Sequence, residues 1–439
     1  MNIRHSRRLT LAAGLSLALV VPLAACAETS EPGGDDTLSN LESFTVLSAN
    51  ENENLRNQLD ALAANQCAAE NEVLPLEHQT TAQADTVQTI TLRASQGALP
   101  AHFIAGTAQV RPSGDLGQAN LVLDLEQALT EAGAWGNVLP AAASTVKNVY
   151  GHMVSLPYQY NIEGIWYNKA IFEEVGISEP QTFDELIAAS DALLAAGYQP
   201  FAMPGSANWP LTRLMGMYIH RNVGPEAMID VRDGNRELTE PEYLAGAQAL
   251  ADMAAAGYFG EGFISTEPAA ANAAFLSGQA AMKYDGSWFL SNINNAEENQ
   301  IGAENVGLMP FPGVSGGAGD INHWAANAGT AHAVNPETYD SRVADWLVCI
   351  TENYGAQALE SAGVISGFAV NSDVTGVPAT TAAVQETITT IEQTVLWFEA
   401  LFDSESNSLA SSNVSLLTTG QMTPEQYMTE LQSSLDSNR

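Results

Sequence analysis

Apolar and polar positions alternate along this chain with two periods, and the periods switch in an orderly way. Short β-rich runs precede amphipathic stretches: Phe44–Leu47 comes before Leu55–Ala64, Glu72–Leu76 before Asp85–Ser95, and His102–Ala105 closes the series. The pattern predicts strands alternating with helices, an α/β arrangement. The middle of the chain repeats it with clearer punctuation. Ile165–Tyr167 reads as a strand, and Thr182-Phe-Asp-Glu185 as a capping box opening a helix that ends before Gly197. Thr239-Glu-Pro-Glu242 opens another helix through Met253 to Gly257, with Pro241 in the first turn, where a missing N–H is harmless. A strand is predicted at Ala280–Tyr284, a loop at Pro310–Gly319, a strand at Ala328–Val334 and a helix at Arg342–Ile350. No internal repeat is evident.

Length turns this pattern into an architecture. A single core stops growing near ~250 to 300 residues, so 439 residues predict two lobes. Hydrophobic residues make up 46% of the chain, enough to bury a sizeable core.

Charge narrows the partners. Asp and Glu number 51 against 15 Lys and Arg, a formal net charge of −36, and the only lysines are Lys147, Lys169 and Lys283. Phosphate backbones and anionic lipid surfaces need basic stripes, so nucleic acid and a membrane surface are excluded as partners of the folded body. The acidity suits a neutral or cationic ligand, and equally suits a role in solubility alone.

Arg4, Arg7 and Arg8 precede an apolar run from Leu9 to Leu23 that ends in Leu23-Ala24-Ala25-Cys26. This reads as a signal peptide, 1–25, too short to serve as a membrane span. Leu-Ala-Ala-Cys resembles the lipobox of bacterial lipoproteins, which implies an acylated Cys26 as the first mature residue. Ser6-Arg7-Arg8 leaves both general and twin-arginine export open. The segment 26–42 is polar and aperiodic and reads as a tether. With Cys26 lipidated, Cys67 and Cys349 remain. An even number outside the cell favours a disulfide, the alternative being two separately buried thiols, and no metal-ligand spacing occurs.

The most informative stretch is Leu156-Pro-Tyr-Gln-Tyr-Asn161-Ile-Glu-Gly-Ile-Trp166-Tyr-Asn168-Lys169. It is followed in order by Gly205-Ser-Ala-Asn208-Trp209-Pro210, Gly257-Tyr-Phe259, Phe275-Leu-Ser-Gly278, Asp285-Gly-Ser-Trp288 and Gly307-Leu-Met-Pro310-Phe-Pro312. This ordered set resembles the extracellular, carbohydrate-binding solute-binding proteins of bacterial ATP-driven (ABC) importers. The resemblance implies a two-lobed periplasmic-binding-protein-like α/β fold with hinge crossings near Val154, Gly313–Asn322 and Val370 and a central ligand cleft. The N-terminal lobe would comprise 43–153 and 320–370, and the C-terminal lobe 154–319 and 371–439. It also implies a monomer without cofactor or catalysis, anchored by lipid outside the cytoplasmic membrane, that hands a neutral mono- or oligosaccharide to ABC permease subunits.

The chemistry of a sugar site agrees with that expectation. Pyranose rings present apolar faces to aromatic side chains and hydroxyl rims to short polar ones. Trp288 and Trp209 are the stacking candidates, with a core position as the alternative for Trp288. Asn50, Glu51 and Asn52 follow the first strand and either meet ligand hydroxyls or cap the next helix. Asn161 and Glu163 flank the first crossing, Glu163 as a hydroxyl acceptor or a surface charge. Asn208, Asp285, Trp324 and Asn327 complete the candidates. The family's usual Pro-Asp after an early strand is Pro100-Ala101 here, which weakens the transfer of first-lobe contacts.

Two other functions fit some of these features. An exported glycoside hydrolase would use a carboxyl pair such as Glu163 and Asp285. A polyamine-binding protein would cage a cation with aromatic and acidic groups. Gly313-Val-Ser315-Gly-Gly317 matches a nucleophile-elbow spacing, but Pro312 precedes it and a glycine-rich loop follows, so no strand–turn–helix is expected there.

Overall fold

The computed structural model describes residues 38–438 apart from Glu51, Gln83, Ala84 and Glu392. The signal peptide, Cys26 and most of the expected tether lie outside these residues. Ten strands are present among the described residues. They are β1 (Phe44–Ala49), β2 (Leu76–Thr81), β3 (His102–Ala105), β4 (Asn161–Asn168), β5 (Gln199–Phe201), β6 (Ala280–Gly286), β7 (Val306–Met309), β8 (Trp324–Asn327), β9 (Ala331–Val334) and β10 (Thr394–Val395). They form two sheets, ordered β2-β1-β3-β9 and β10-β8-β4-β6-β5, with β7 also paired to β4.

The first sheet is parallel except for β9, which runs antiparallel to β3. Its core gathers Phe44, Val46, Phe103 and Trp346 with the helices Glu53–Ala64 and Ser341–Ala362. β2 begins at Leu76, so of the strand expected at Glu72–Leu76 only the last residue is extended in the sheet, while Glu72 and Val73 end the helix Ala68–Val73. The reason is β2's edge position: it borrows its register from β1 and is nowhere fully buried, so its polar sequence carries no apolar signal.

β4 is the spine of the second sheet and is buried along its whole length. Its alternation sends Ile165 and Tyr167 into one core and Ile162 and Trp166 into another on the opposite face. Glu163 shares the face of Ile165. The capping box at Thr182 and Glu185 forms as expected and starts the helix Phe183–Ala196. Pro241 opens its helix, but Thr239 does not cap it, and its hydroxyl donates to Glu237 instead.

Two expectations about chain tracing change. The strand expected at Ala328–Val334 begins only at Ala331, as β9, after Gly329 with its φ of 75°, and the residues just before it, Trp324–Asn327, form the additional strand β8. β8 pairs with β4 and β9 with β3, so the chain moves between sheets at Ala328–Thr330, later than Gly313–Asn322. Trp324–Asn327, expected in the first lobe, therefore belong to the second sheet. After the helix Ala379–Thr390 the chain returns to both cores: Leu396, Ala400 and Leu401 pack in the first, and Val395, Phe398 and Phe402 in the second.

Cys67 and Cys349 are disulfide-bonded, tying the entry to the helix Ala68–Val73 to the long helix Ser341–Ala362. The end of the tether is also fastened. Ser39 donates to Asp340, and Arg342 donates to the Ser39 carbonyl, so residues 39–41 are seated at a helix start rather than free. Among the described residues no helix is long and apolar enough to cross a membrane.

Candidate functional site

A cavity of about 490 Å³ opens between the two sheets. The first-sheet side contributes Ala49 at the end of β1, Asn52, Asn54, Thr107 and His332; the second contributes Trp209, Arg213, Trp288 and Asn327. Trp397 and Tyr158 come from segments running between the cores.

The aromatic wall is built by local backbone features. Trp288 follows β6 in Gly286-Ser-Trp, and a Cβ on Gly286 would overlap its ring, so only glycine lets the indole fold back over the strand end. Trp209 begins the helix Trp209–Val223, and Asn208 turns the chain into it with a φ of 61°. The two indoles meet edge to face, with centroids 5.7 Å apart at 67°. One turn after Trp209, the Arg213 guanidinium lies 5.4 Å from the Trp209 ring and 4.9 Å from that of Trp397. All three indoles are partly exposed.

Behind this wall runs a polar chain. Ser287 donates to Asn161 (3.1 Å), Asn161 to Asn327 (3.3 Å), and Asn327 to Glu163 (2.9 Å). Arg213 forms an ion pair with Glu163, and its Nε lies 3.6 Å from Glu399, which also accepts from Thr212. Tyr284 donates to the other Glu163 oxygen at 3.3 Å. Burial opposes the Arg213 charge, but the two carboxylates outweigh it and raise its pKa. Burial also raises the Glu399 carboxyl against the pull of Arg213, and pushes the His332 imidazole down to about 4. Arg213 is thus the one ionised group facing the cavity near neutral pH among its described lining, and its charge is balanced from behind.

The expected site residues separate into groups. Trp209 and Trp288 line the cavity, as do Asn52 and Asn327. Asn52 also caps the helix Glu53–Ala64 by accepting from Leu55, so both of its expected roles coexist. Asn161 lines an adjoining cavity of about 150 Å³ with Ser287 and Trp288. Glu163 is neither a surface charge nor a lining residue: it is 1% exposed and holds Arg213. Asp285 is buried and paired with Lys283, and Trp324 packs in the core against Gly164. Asn50 lies outside the lining, its carbonyl taken by Arg56, and Asn208 acts through its backbone. Glu51 lies outside the described residues. Sequence reasoning missed Arg213 and Trp397. Arg213 was legible only as the i+4 neighbour of Trp209, and Trp397 needed the path of the chain between the cores. Ser315, from the elbow-like motif, donates to exposed Asp184 at 3.4 Å.

Comparison with known proteins places these features in context. Residues 79–352, more than half of the chain, match the model of the bacterial extracellular solute-binding protein family. A probable sugar-binding periplasmic protein of Mesorhizobium japonicum is 27% identical over 207 residues, covering 46% of this chain and 48% of that protein. An sn-glycerol-3-phosphate-binding periplasmic protein of Brucella abortus is 27% identical over 178 residues, covering 39% and 40%. These matches therefore span less than half the length of each relative. Among solved structures, a chitin oligosaccharide binding protein superposes with a TM-score of 0.77 at 24% identity, covering 91% of this chain and 99% of that one. Such a likeness establishes the shared two-lobed fold. The chain belongs to the bacterial extracellular solute-binding proteins.

Proposed function

We propose that this chain is the sugar-capturing component of an ABC importer. It is exported, held outside the cytoplasmic membrane by lipid on Cys26, and works as a monomer. It closes its lobes, 43–153 with 320–370 and 154–319 with 371–439 apart from the β8 exchange noted above, around a neutral mono- or oligosaccharide and delivers it to the permease. The observation that carries the reading is the cleft wall of Trp209, Trp288 and Trp397 surrounding one charge-balanced arginine. Indole faces suit the C–H faces of pyranose rings, and Arg213, Asn52, Asn54 and Asn327 suit hydroxyls. A ligand touching both walls binds the closed state more tightly, and that difference drives closure.

The rival ligands fit less well. A phosphate ester needs a net positive site, yet Arg213 is matched by Glu163 and Glu399. A polyamine needs carboxylates in the cavity wall, and Glu163 and Asp285 are spent on Arg213 and Lys283. The same two pairs remove the carboxyl couple a glycoside hydrolase would use. The test is a thermal-shift screen of the body from Leu38 onward against neutral saccharides, with sn-glycerol 3-phosphate and spermidine as controls. Ligand at about 100 times its Kd stabilises by ~2.7 kcal/mol. A rise with a neutral sugar recovered uncut supports the proposal; a rise only with phosphate ester or polyamine, or a cleaved sugar, overturns it.

A further inference from the structure

The passage Leu396–Phe402, where the chain returns between the two cores, is held by an arginine from each side. It follows β10 without regular structure and divides its apolar residues, with Leu396, Ala400 and Leu401 in the first core and Phe398 and Phe402 in the second. From the first-sheet side, Arg111 donates to the carbonyls of Ala400 and Phe402. From the second, Arg213 lies 4.9 Å from the Trp397 ring and 3.6 Å from the Glu399 carboxylate. This second hold is incomplete. At 3.6 Å the Arg213 Nε–H makes no hydrogen bond to Glu399. Among the described residues neither that nitrogen nor the Glu399 Oε2 has a hydrogen-bond partner, although both atoms are buried. A buried donor and a buried acceptor left open beside each other are costly, so a shift that joins them is favourable.

We propose that Glu399 is a positioning residue that couples the cleft to this passage: a saccharide hydroxyl meeting Arg213 turns the guanidinium so that its Nε–H closes onto Glu399, drawing Trp397 over the sugar. This rests on the saccharide reading above and adds to it the element that carries closure. Glu163 holds Arg213 through Nη1, which leaves the Nε side free to make the new bond. The other ionisable groups around Glu399 are engaged elsewhere. Glu163, on β4, binds Arg213 and accepts from Tyr284 of β6. Tyr427, in the helix Pro424–Ser437, donates to the Ala410 carbonyl. Asp403 caps the helix Ser404–Thr418. Thr212 alone donates a side-chain hydrogen bond to Glu399, at 3.2 Å. Burial holds the Glu399 carboxyl above its usual range, and a completed bond from Arg213 brings it down. Binding therefore releases a proton. Affinity is full where Glu399 is ionised in the free protein and falls as the pH drops and the carboxyl is protonated.

The experiment is calorimetric titration of the body from Leu38 onward between about pH 5 and pH 7.5, in two buffers of different ionisation enthalpy. The probes are cellobiose, maltose, xylobiose, raffinose and N,N′-diacetylchitobiose. This range lies above the titration of His332, held at about 4 in the cavity wall. Wild type should release protons on binding and bind at least about threefold more weakly at pH 5 than at pH 7. Glu399→Gln should release none and show one Kd across the range, close to the wild-type value at pH 5. Thr212→Val removes a bond that favours the ionised carboxylate, so it should keep the wild-type Kd at pH 7.5 and move the weakening to higher pH. A merely structural Glu399 would produce neither pH effect, and Thr212→Val decides the matter if Glu399→Gln does not fold. Wild-type binding without proton release, or a pH dependence that survives in Glu399→Gln, overturns the inference while leaving the saccharide reading intact. Failure of every probe to bind wild type counts against the saccharide reading itself and takes the inference with it.

Discussion

Removing the Glu163 carboxylate tests the idea that this residue holds Arg213 in place rather than touching ligand. Glu163 receives Arg213, Asn327 and Tyr284, and is 1% exposed. In Glu163→Ala the guanidinium keeps only Glu399, 3.6 Å from its Nε, whose own carboxyl is raised by burial. Breaking one partner of a buried ion pair costs about 3 to 5 kcal/mol. Asn327 and Tyr284 each lose an acceptor, a loss worth about 1 kcal/mol apiece where they fail to re-pair. The variant should therefore lose at least about 3 kcal/mol in urea unfolding followed by circular dichroism. Glu163→Gln keeps an oxygen for Arg213 and Asn327 and an amide that can donate to Tyr284, so it should recover a large part of that loss. A cost below about 1 kcal/mol for the alanine variant would mean the pair behaves as a solvent-screened surface bridge, and the argument for a buried clamp would fail.

Other outcomes follow from particular placements. Trp324→Ala should destabilise by about 3 to 5 kcal/mol, because this indole is core, whereas Trp288→Ala should cost less stability and weaken sugar binding; comparable stability losses would contradict the assignment. His220 and His332 are held at about 4 by burial, below their unfolded value near 6.5. The unfolded chain binds their protons first, so stability falls from about pH 6.5 toward pH 4 by about 3 kcal/mol for each. Glu399, raised by burial, acts in the opposite sense above about pH 4.5, so the histidine term is read by comparing His332→Gln with wild type, and equal slopes would refute it. Replacing Cys67 and Cys349 together with serine should cost about 2 to 5 kcal/mol in the same unfolding assay, and no change would refute a structural bond. Cys26→Ser should release the exported protein from membranes into the medium; continued membrane association would refute a lipid anchor at that position.

The α/β character and most helices were legible because burial periodicity and caps are local. The Thr182 box and the buried run His102–Ala105 announce themselves. β2 was misplaced because an edge strand can be polar, and β8 was missed because its four residues are too few to show a period of their own. At the site, Trp209 and Trp288 stood out through the glycine and loop residues beside them. Asn50, Asp285 and Trp324 sit close to strand ends in sequence, but sequence does not reveal which face a strand end presents or which charge a carboxylate meets. Arg213 and Trp397 lie 184 positions apart yet sandwich together, a proximity fixed only by the return of the chain between the two cores.

The most direct measurement is isothermal titration of wild type and Trp288→Ala with the sugar that the thermal screen selects, followed by mass analysis of the recovered ligand. The account predicts stoichiometric binding of an uncut neutral sugar, weakened by at least about 2 kcal/mol, or roughly thirtyfold, in the variant. Unchanged affinity in Trp288→Ala would place the ligand elsewhere and contradict the assignment of the cleft.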